Sequence, residues 1–293
     1  MKKPAQHFCF HGDDVPPAKA SEALFHVIPV PLEQSVSYGT GTAAGPEAIL
    51  TASCQLETLA GGVVPADEGI YTAPPVDCSG SPEMVVTRIE NVVSASLEAG
   101  AIPVLLGGEH TVSLGAIQAL YRQTQDFGVI QFDAHADLRN SYQGSKYSHA
   151  CVMRRVHEAS LPIFQIGTRN YSLEESEYRK KQGIGFLDSE TIWRQGPNLI
   201  LPENFPEKVY ISFDLDAFDC SLLPATGTPV PGGLNWYQAL WLIEQIMDSR
   251  LCLGFDVVEL APIEQLHASS FLAAQLTYSM MASLVKSRSP QQR

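Results

Sequence analysis

The strongest constraint on this chain is an alternation sustained almost from end to end: a short apolar run of strand type, a polar turn, then a stretch of helical periodicity. Residues 23–30 (ALFHVIPV) form a strand-like run bounded by prolines. Gly39-Thr40-Gly41 and Gly45-Pro46-Glu47 then open a helix, with Ile49, Leu50, Ser53, Leu56 and Leu59 at helical spacing. The Gly- and Pro-rich segment 61–79 reads as a turn with a short strand. Ser81-Pro82-Glu83 supplies a capping hydroxyl, a first-turn proline and an acid near the positive end of the dipole. That predicts a helix to Ala99, stopped by Gly100. Strands are expected at 101–106, 128–131, 162–166, 184–187, 209–214 and 251–258, and helices at 113–121, 174–181, 236–248 and 269–285. This pattern predicts an α/β fold in three layers, a mostly parallel central sheet with helices on both faces. No linker or internal repeat interrupts it. One domain is expected over 1–293, with an irregular arm over about 1–20 and a loose polar tail over about 287–293.

Polar residues gather where such a sheet places its sites, beyond the carboxyl ends of the strands. His110 follows the strand ending at Leu106, in Gly107-Gly108-Glu109-His110. Phe132-Asp133-Ala134-His135-Ala136-Asp137 follows the next. In extended backbone, alternate side chains share a face, so Asp133, His135 and Asp137 converge. Asp214, Asp216 and Asp219 follow a third strand and Glu259 ends a fourth. Phe218 stands where an EF-hand needs its third ligand, which excludes that motif. Such groups remain together only around positive charge. Two histidines and four carboxylates without a cysteine suit a pair of divalent cations about 3.5–4 Å apart. The donor set favours Mn²⁺, with zinc, cobalt and nickel left open.

Composition narrows the function classes. The 293 residues are 45% hydrophobic and 17% charged, and no run approaches the roughly 20 apolar residues of a membrane helix. Lys2 and Lys3 precede no apolar stretch, so no signal peptide is expected and the cytoplasm is the expected compartment. Six scattered cysteines without a C-x-x-C pair read as reduced thiols. A net charge of −13 argues against nucleic acid and suits a cationic substrate, as well as ordinary solubility.

GGEHTVSLG (107–115), FDAHADLR (132–139), SFDLDAF (212–218), ATGTPVPGGL (225–234) and DVVEL (256–260) resemble, in order and spacing, the ureohydrolase family that includes arginase and agmatinase. The resemblance covers most of the chain, from GTGTAAGPEAIL (39–50) to the last helix. It implies an arginase-like fold and two Mn²⁺. His110, Asp133, Asp137 and Asp214 would hold one ion; His135, Asp133, Asp214 and Asp216 would hold the other, with Asp133 and Asp214 bridging. It further implies that water activated between the ions attacks a guanidinium carbon, oriented by Asp137. Glu259 would grip the guanidinium, and His149, in Tyr147-Ser148-His149-Ala150, would carry a proton to the leaving amine. Thr228 is a pocket-lining candidate, with packing as its default. Two departures from the family's pattern, Cys220 for a proline and Ala150 for a glycine, touch loop shape rather than ligands. His7, His11, His26, His157 and His267 read as surface or packing residues, Asp219 as a turn cap, and Gly107 and Gly108 as the residues permitting a tight turn.

The loop LRNSYQGSKY (138–147) and the P-V-P-G-G-L run resemble agmatinases more than arginases. The expected reaction is agmatine to putrescine and urea, a polyamine-forming step. YSHA (147–150) and 265–278 also resemble enzymes that convert N1-aminopropylagmatine to spermidine and urea, the alternative substrate. A homo-oligomer, trimer or hexamer, is implied. Readings of another class are a single-zinc deacetylase-type amidohydrolase and an inactive binding protein.

Overall fold

The computed structural model describes residues 9–12 and 14–288. His7, much of the expected arm and residues 289–293 of the expected tail lie outside the described residues. Eight strands form one sheet: β1 Phe25–Val30, β2 Ile70–Thr72, β3 Ile102–Gly107, β4 Gly128–Phe132, β5 Ile163–Ile166, β6 Gly185–Leu187, β7 Lys208–Asp214 and β8 Leu251–Val258. Their order is β2-β1-β3-β8-β7-β4-β5-β6, and every pairing is parallel.

Side chains alternate across the sheet as the pleat requires. Val27, Val104, Ile130 and Ile211 enter one apolar layer; their neighbours Ile28, Leu105, Val129 and Tyr210 enter the other. Helices α1 (Gly45–Ser53), α7 (Trp236–Ser249) and α8 (His267–Arg288) cover the first layer. Helices α2 (Pro82–Glu98), α3 (Ser113–Gln123) and α4 (Val152–Glu158) cover the second. Ser81 caps α2 as expected, its Oγ accepting the Met84 N–H. Helix α5 (Leu173–Gln182) carries a full capping box between Ser172 and Glu175. The three expected layers are present. The sequence reading did not include α4 or α6 (Ser189–Gln195), each two turns long. Helices that short depend on packing for their stability, so their periodicity is a weak signal.

Because all strands run the same way, their carboxyl ends line one edge. From β3 the chain crosses to β4 and moves outward through β5 and β6. Strands β7 and β8 then return to fill the gap. The central four strands are therefore β3, β8, β7 and β4, the ones that carry every acidic and imidazole candidate. A reversal of winding order of this kind opens a crevice at the carboxyl edge. Gly108 is essential there for a reason other than turn conformation: a Cβ at that position would run into the Leu32 backbone. The close approach lets the Gly108 and Glu109 N–H groups bond the β1 end and the loop after it, through the carbonyls of Val30 and Leu32 at 2.8 Å each.

Candidate metal centre

Four chain segments deliver the site. His110 opens a single 3-10 turn ahead of α3 and is 1% exposed. Asp133, His135 and Asp137 lie in a bent loop after β4, not in continued strand, and Asp137 has φ +52°. Their convergence is therefore made by bent backbone ending in a left-handed residue, not by strand alternation alone. Asp214 ends β7, and Asp216 sits in the following 3-10 turn with its N–H donating to Asp214 Oδ1 at 2.8 Å. Glu259 follows β8 with φ +65°, a left-handed conformation that costs a non-glycine residue about 1–2 kcal/mol. It turns the carboxylate inward, where Oε1 accepts the His110 N–H at 2.7 Å.

Two constellations result. His110 Nδ1 lies 2.9 Å from Asp137 Oδ2, 3.2 Å from Asp133 Oδ2 and 3.5 Å from Asp214 Oδ2. His135 Nδ1 lies 2.9 Å from Asp216 Oδ2 and 3.5 Å from Asp133 Oδ1. Asp133 belongs to both, offering one oxygen to each. Groups His110–Asp133–Asp137 and Asp133–His135–Asp216 are each tight enough to hold a metal ion.

Hydrogen bonds behind the ligands set which imidazole nitrogen faces inward. Ser212 Oγ donates to Asp256 Oδ1 at 2.9 Å, so its lone pair accepts from His110 Nε2–H at 2.8 Å. Asp256 is held in turn by the Tyr210 hydroxyl and the Phe213 N–H. In the neutral ring Nδ1 of His110 is therefore the lone-pair nitrogen, and it is aimed at three carboxylates. That arrangement is repulsive without a cation, and buried histidine ligands are commonly oriented by an outer hydrogen bond of this kind. Gln131 donates to Asp133 Oδ2 at 2.7 Å, and the Gln165 amide donates to Gln131.

Protonation tells the same story. Burial alone would depress both imidazoles. The Asp133 and Asp137 carboxylates instead hold His110 well above its usual range, and Asp216 with Asp133 pushes His135 up to about 12. Burial, then the charge of Asp133, lifts Asp137 to about 7. Burial lifts Glu259 to about 8 and, with the charges of Asp216 and Asp133, raises Asp214. The cluster gathers protons wherever it can, the behaviour of a donor set built around positive charge. Six hard donors, no thiol and an imidazole lone pair facing three carboxylates fit a pair of divalent cations.

His135, Asp137, Asp214 and Asp216 of the cluster line a cavity of about 430 Å³, together with Glu259, Thr228, His149, Tyr142, Tyr171 and Glu175. His149 opens a 3-10 turn before α4, half-buried at the rim. Asp219 lies apart from the ions' position and caps its own loop, accepting N–H groups from Ser221, Gly232 and Gly233. Those bonds, the Ser221 hydroxyl first, pull its carboxyl down to about 2. Four of the five remaining histidines fall among the described residues. His11 packs edge-on against Tyr278, His26 bonds the Ala20 carbonyl, His157 bonds Tyr178, and His267 is exposed. The sequence reading missed Ser212, Asp256, Gln131 and Arg169. The Arg169 guanidinium clamps carbonyls of the Asp216 turn and of residues 230–231. A charged or amide residue inside an apolar strand, as at Asp256 and Gln131, was the available signal.

An all-parallel, doubly wound sheet with a paired carboxylate–imidazole site at its reversal point defines an α/β protein with a candidate two-metal centre. The arginase family model matches residues 23–283. An N(1)-aminopropylagmatine ureohydrolase of Synechocystis sp. is 37% identical, covering 89% of this chain and 89% of its own length. One from Thermus thermophilus is 39% identical, with 89% and 90% covered. The crystal structure of agmatine ureohydrolase of Thermoplasma volcanium superposes with a TM-score of 0.87 at 34% identity, over 96% of this chain and 95% of that one. The chain belongs to the arginase family. It is a ureohydrolase, a binuclear metal hydrolase that cleaves the C–N bond of a guanidino group.

Proposed function

We propose that the protein is a two-manganese ureohydrolase of guanidino-amines that converts agmatine to putrescine and urea. His110, Asp133, His135, Asp137, Asp214 and Asp216 are the ligands in this reading. The observation that carries it is Asp133, whose two oxygens face two different imidazoles. Bound there, a cation pair supplies concentrated positive charge that makes water a nucleophile near neutral pH.

The remaining steps belong to side chains. Glu259 is anchored through Oε1, and among the described residues no hydrogen bond occupies its Oε2, leaving that oxygen to pair with the guanidinium. Asp137 orients the attacking water. The water oxygen bonds the guanidinium carbon, and the C–N bond to the alkyl chain breaks with its electron pair on nitrogen. Both water protons finish on that nitrogen, so urea and an alkylammonium ion leave. His149 delivers a proton there from the rim.

A second substrate, N1-aminopropylagmatine, is supported by the names of the relatives at 37% and 39% identity. The aromatic and acidic wall of Tyr142, Tyr171 and Glu175 also suits a longer polycation. Urea release from agmatine, N1-aminopropylagmatine, arginine and guanidinobutyrate, measured side by side with Mn²⁺, tests both. Turnover is expected for the first two, and dominant arginine turnover or no urea at all overturns the proposal.

We further take the chain as one domain, since β1 and β8 near its two ends pair with β3 in one sheet. We place it in the cytoplasm, in keeping with six scattered cysteines that include no C-x-x-C pair. Among the described residues no helix is long and apolar enough to cross a membrane. We also take it as a homo-oligomer, trimer or hexamer, the assembly that the family resemblance implies.

A further inference from the structure

His149 is held by hydroxyls on both ring nitrogens, and a buried carboxylate dictates which of them donates. Glu109 is fully buried. Its Oε2 accepts the N–H groups of Gln34 and Ser35, each at 2.6 Å. Its Oε1 accepts the hydroxyls of Ser35 at 2.8 Å and Thr111 at 2.7 Å. With four donors on one carboxyl group, Glu109 acts only as an acceptor. The Ser35 proton is therefore committed to Glu109, and its oxygen can only accept from anything else.

Ser35 Oγ meets His149 twice, taking the backbone N–H at 3.1 Å and facing Nδ1 at 3.1 Å. Ser148 Oγ stands farther from Nδ1, at 3.4 Å. A nitrogen facing an acceptor must carry the hydrogen, so the neutral ring is protonated on Nδ1. Nε2 is then the lone-pair nitrogen, and Ser37 Oγ lies 2.9 Å from it. Ser37 has one proton to give. The Tyr142 hydroxyl, 3.1 Å from Ser37 Oγ, is the other acceptor within its reach. Tyr142, Ser37 and His149 all line the cavity. Burial also depresses the His149 imidazole, to about 4, which keeps the ring neutral at rest.

We propose that Ser35, locked by Glu109, is the positioning residue that keeps His149 in its Nδ1–H form, leaving Nε2, beside Ser37, as the nitrogen that carries the proton. Nε2 takes a proton released by the attacking water and passes it to the amine nitrogen as the C–N bond breaks, so the ring returns to its Nδ1–H form. Ser37 Oγ, 2.9 Å from Nε2, holds the ring between the two transfers. The net proton comes from the water consumed. This relay rests on the ureohydrolase reading, but the tautomer itself can be measured without turnover.

The test uses protein with ¹⁵N-labelled histidine, free of substrate, and long-range ¹H–¹⁵N spectra with His149 assigned by its loss in His149→Gln. The wild type is expected to show Nδ1–H at His149. Ser35→Ala is expected to shift the ring toward Nε2–H and to lower kcat about 10–100-fold with KM within about twofold, a partial loss of the usual general acid–base contribution. Ser35→Thr, which keeps the hydroxyl, restores both. Ser37→Ala lowers kcat while leaving the Nδ1–H form in place. A wild-type ring protonated on Nε2 overturns the proposal even if no variant folds. So does an unchanged tautomer and kcat in Ser35→Ala. If the wild type releases no urea but shows Nδ1–H at His149, the activity reading fails and the positioning role of Ser35 stands.

Discussion

Replacing Ser212 with alanine isolates one hydrogen bond behind the metal centre. In the native protein its Oγ accepts from His110 Nε2 at 2.8 Å and donates to Asp256 Oδ1 at 2.9 Å. Alanine leaves the Nε2–H buried without its acceptor, at a cost of about 1–3 kcal/mol. The ring can escape by moving its proton to Nδ1, the nitrogen facing Asp133, Asp137 and Asp214, but that proton then competes with a cation. Loss of an outer hydrogen bond of this type lowers metal affinity about 10–100-fold. At about 1.4 kcal/mol per factor of ten, that is about 1.4–2.8 kcal/mol, the range of the buried-donor cost. Competition titration of Mn²⁺ against a chromophoric chelator, with circular dichroism to check the fold, reads the outcome. The ion beside His110 should weaken 10–100-fold and the one beside His135 by less than about threefold. Two unchanged affinities in a folded variant would refute the tautomer argument.

Two further perturbations probe the shared carboxylate and the protons the cluster gathers. Asp133→Ala should abolish urea release and weaken both ions, whereas Asp216→Ala should release the ion beside His135 preferentially; metal content after gel filtration distinguishes them, and full activity in Asp133→Ala would end the bridging assignment. In the metal-free protein, Asp137 near 7, Glu259 near 8 and both raised imidazoles bind protons more tightly folded than unfolded. Stability from these groups is complete below their unfolded values, about 4 for the carboxyls and about 6.5 for the imidazoles, and is lost as pH rises through the folded ones. Tm of chelator-treated protein should therefore fall between about pH 5 and pH 8, and saturating Mn²⁺ should flatten that slope because cations replace the protons. A metal-free Tm that rises across this window contradicts it.

The alternation of strands and helices and the segments that supply the candidate ligands were legible in the sequence. Both are local properties: apolar periodicity reports a buried face, and each ligand sits in a short motif directly after a strand. His110, Asp133, His135, Asp137, Asp214, Asp216 and Glu259 could all be read from four such motifs, and all seven come together. Strand alternation does not by itself account for the grouping of Asp133, His135 and Asp137, because the backbone bends after β4 and Asp137 is left-handed. Nor were Gly107 and Gly108 needed for a tight turn; close approach to Leu32 is what excludes a side chain at Gly108.

What the tertiary structure alone decided is pairing over distance. Ser212 meets His110 across 102 positions, and Ser35 meets His149 across 114, because winding reverses between β3 and β4 and seats β7 and β8 between them. No local period encodes that strand order. The sequence determined which chemical groups stand at the carboxyl edge; the sheet order determined which oxygen faces which nitrogen, and hence which nitrogen keeps its lone pair.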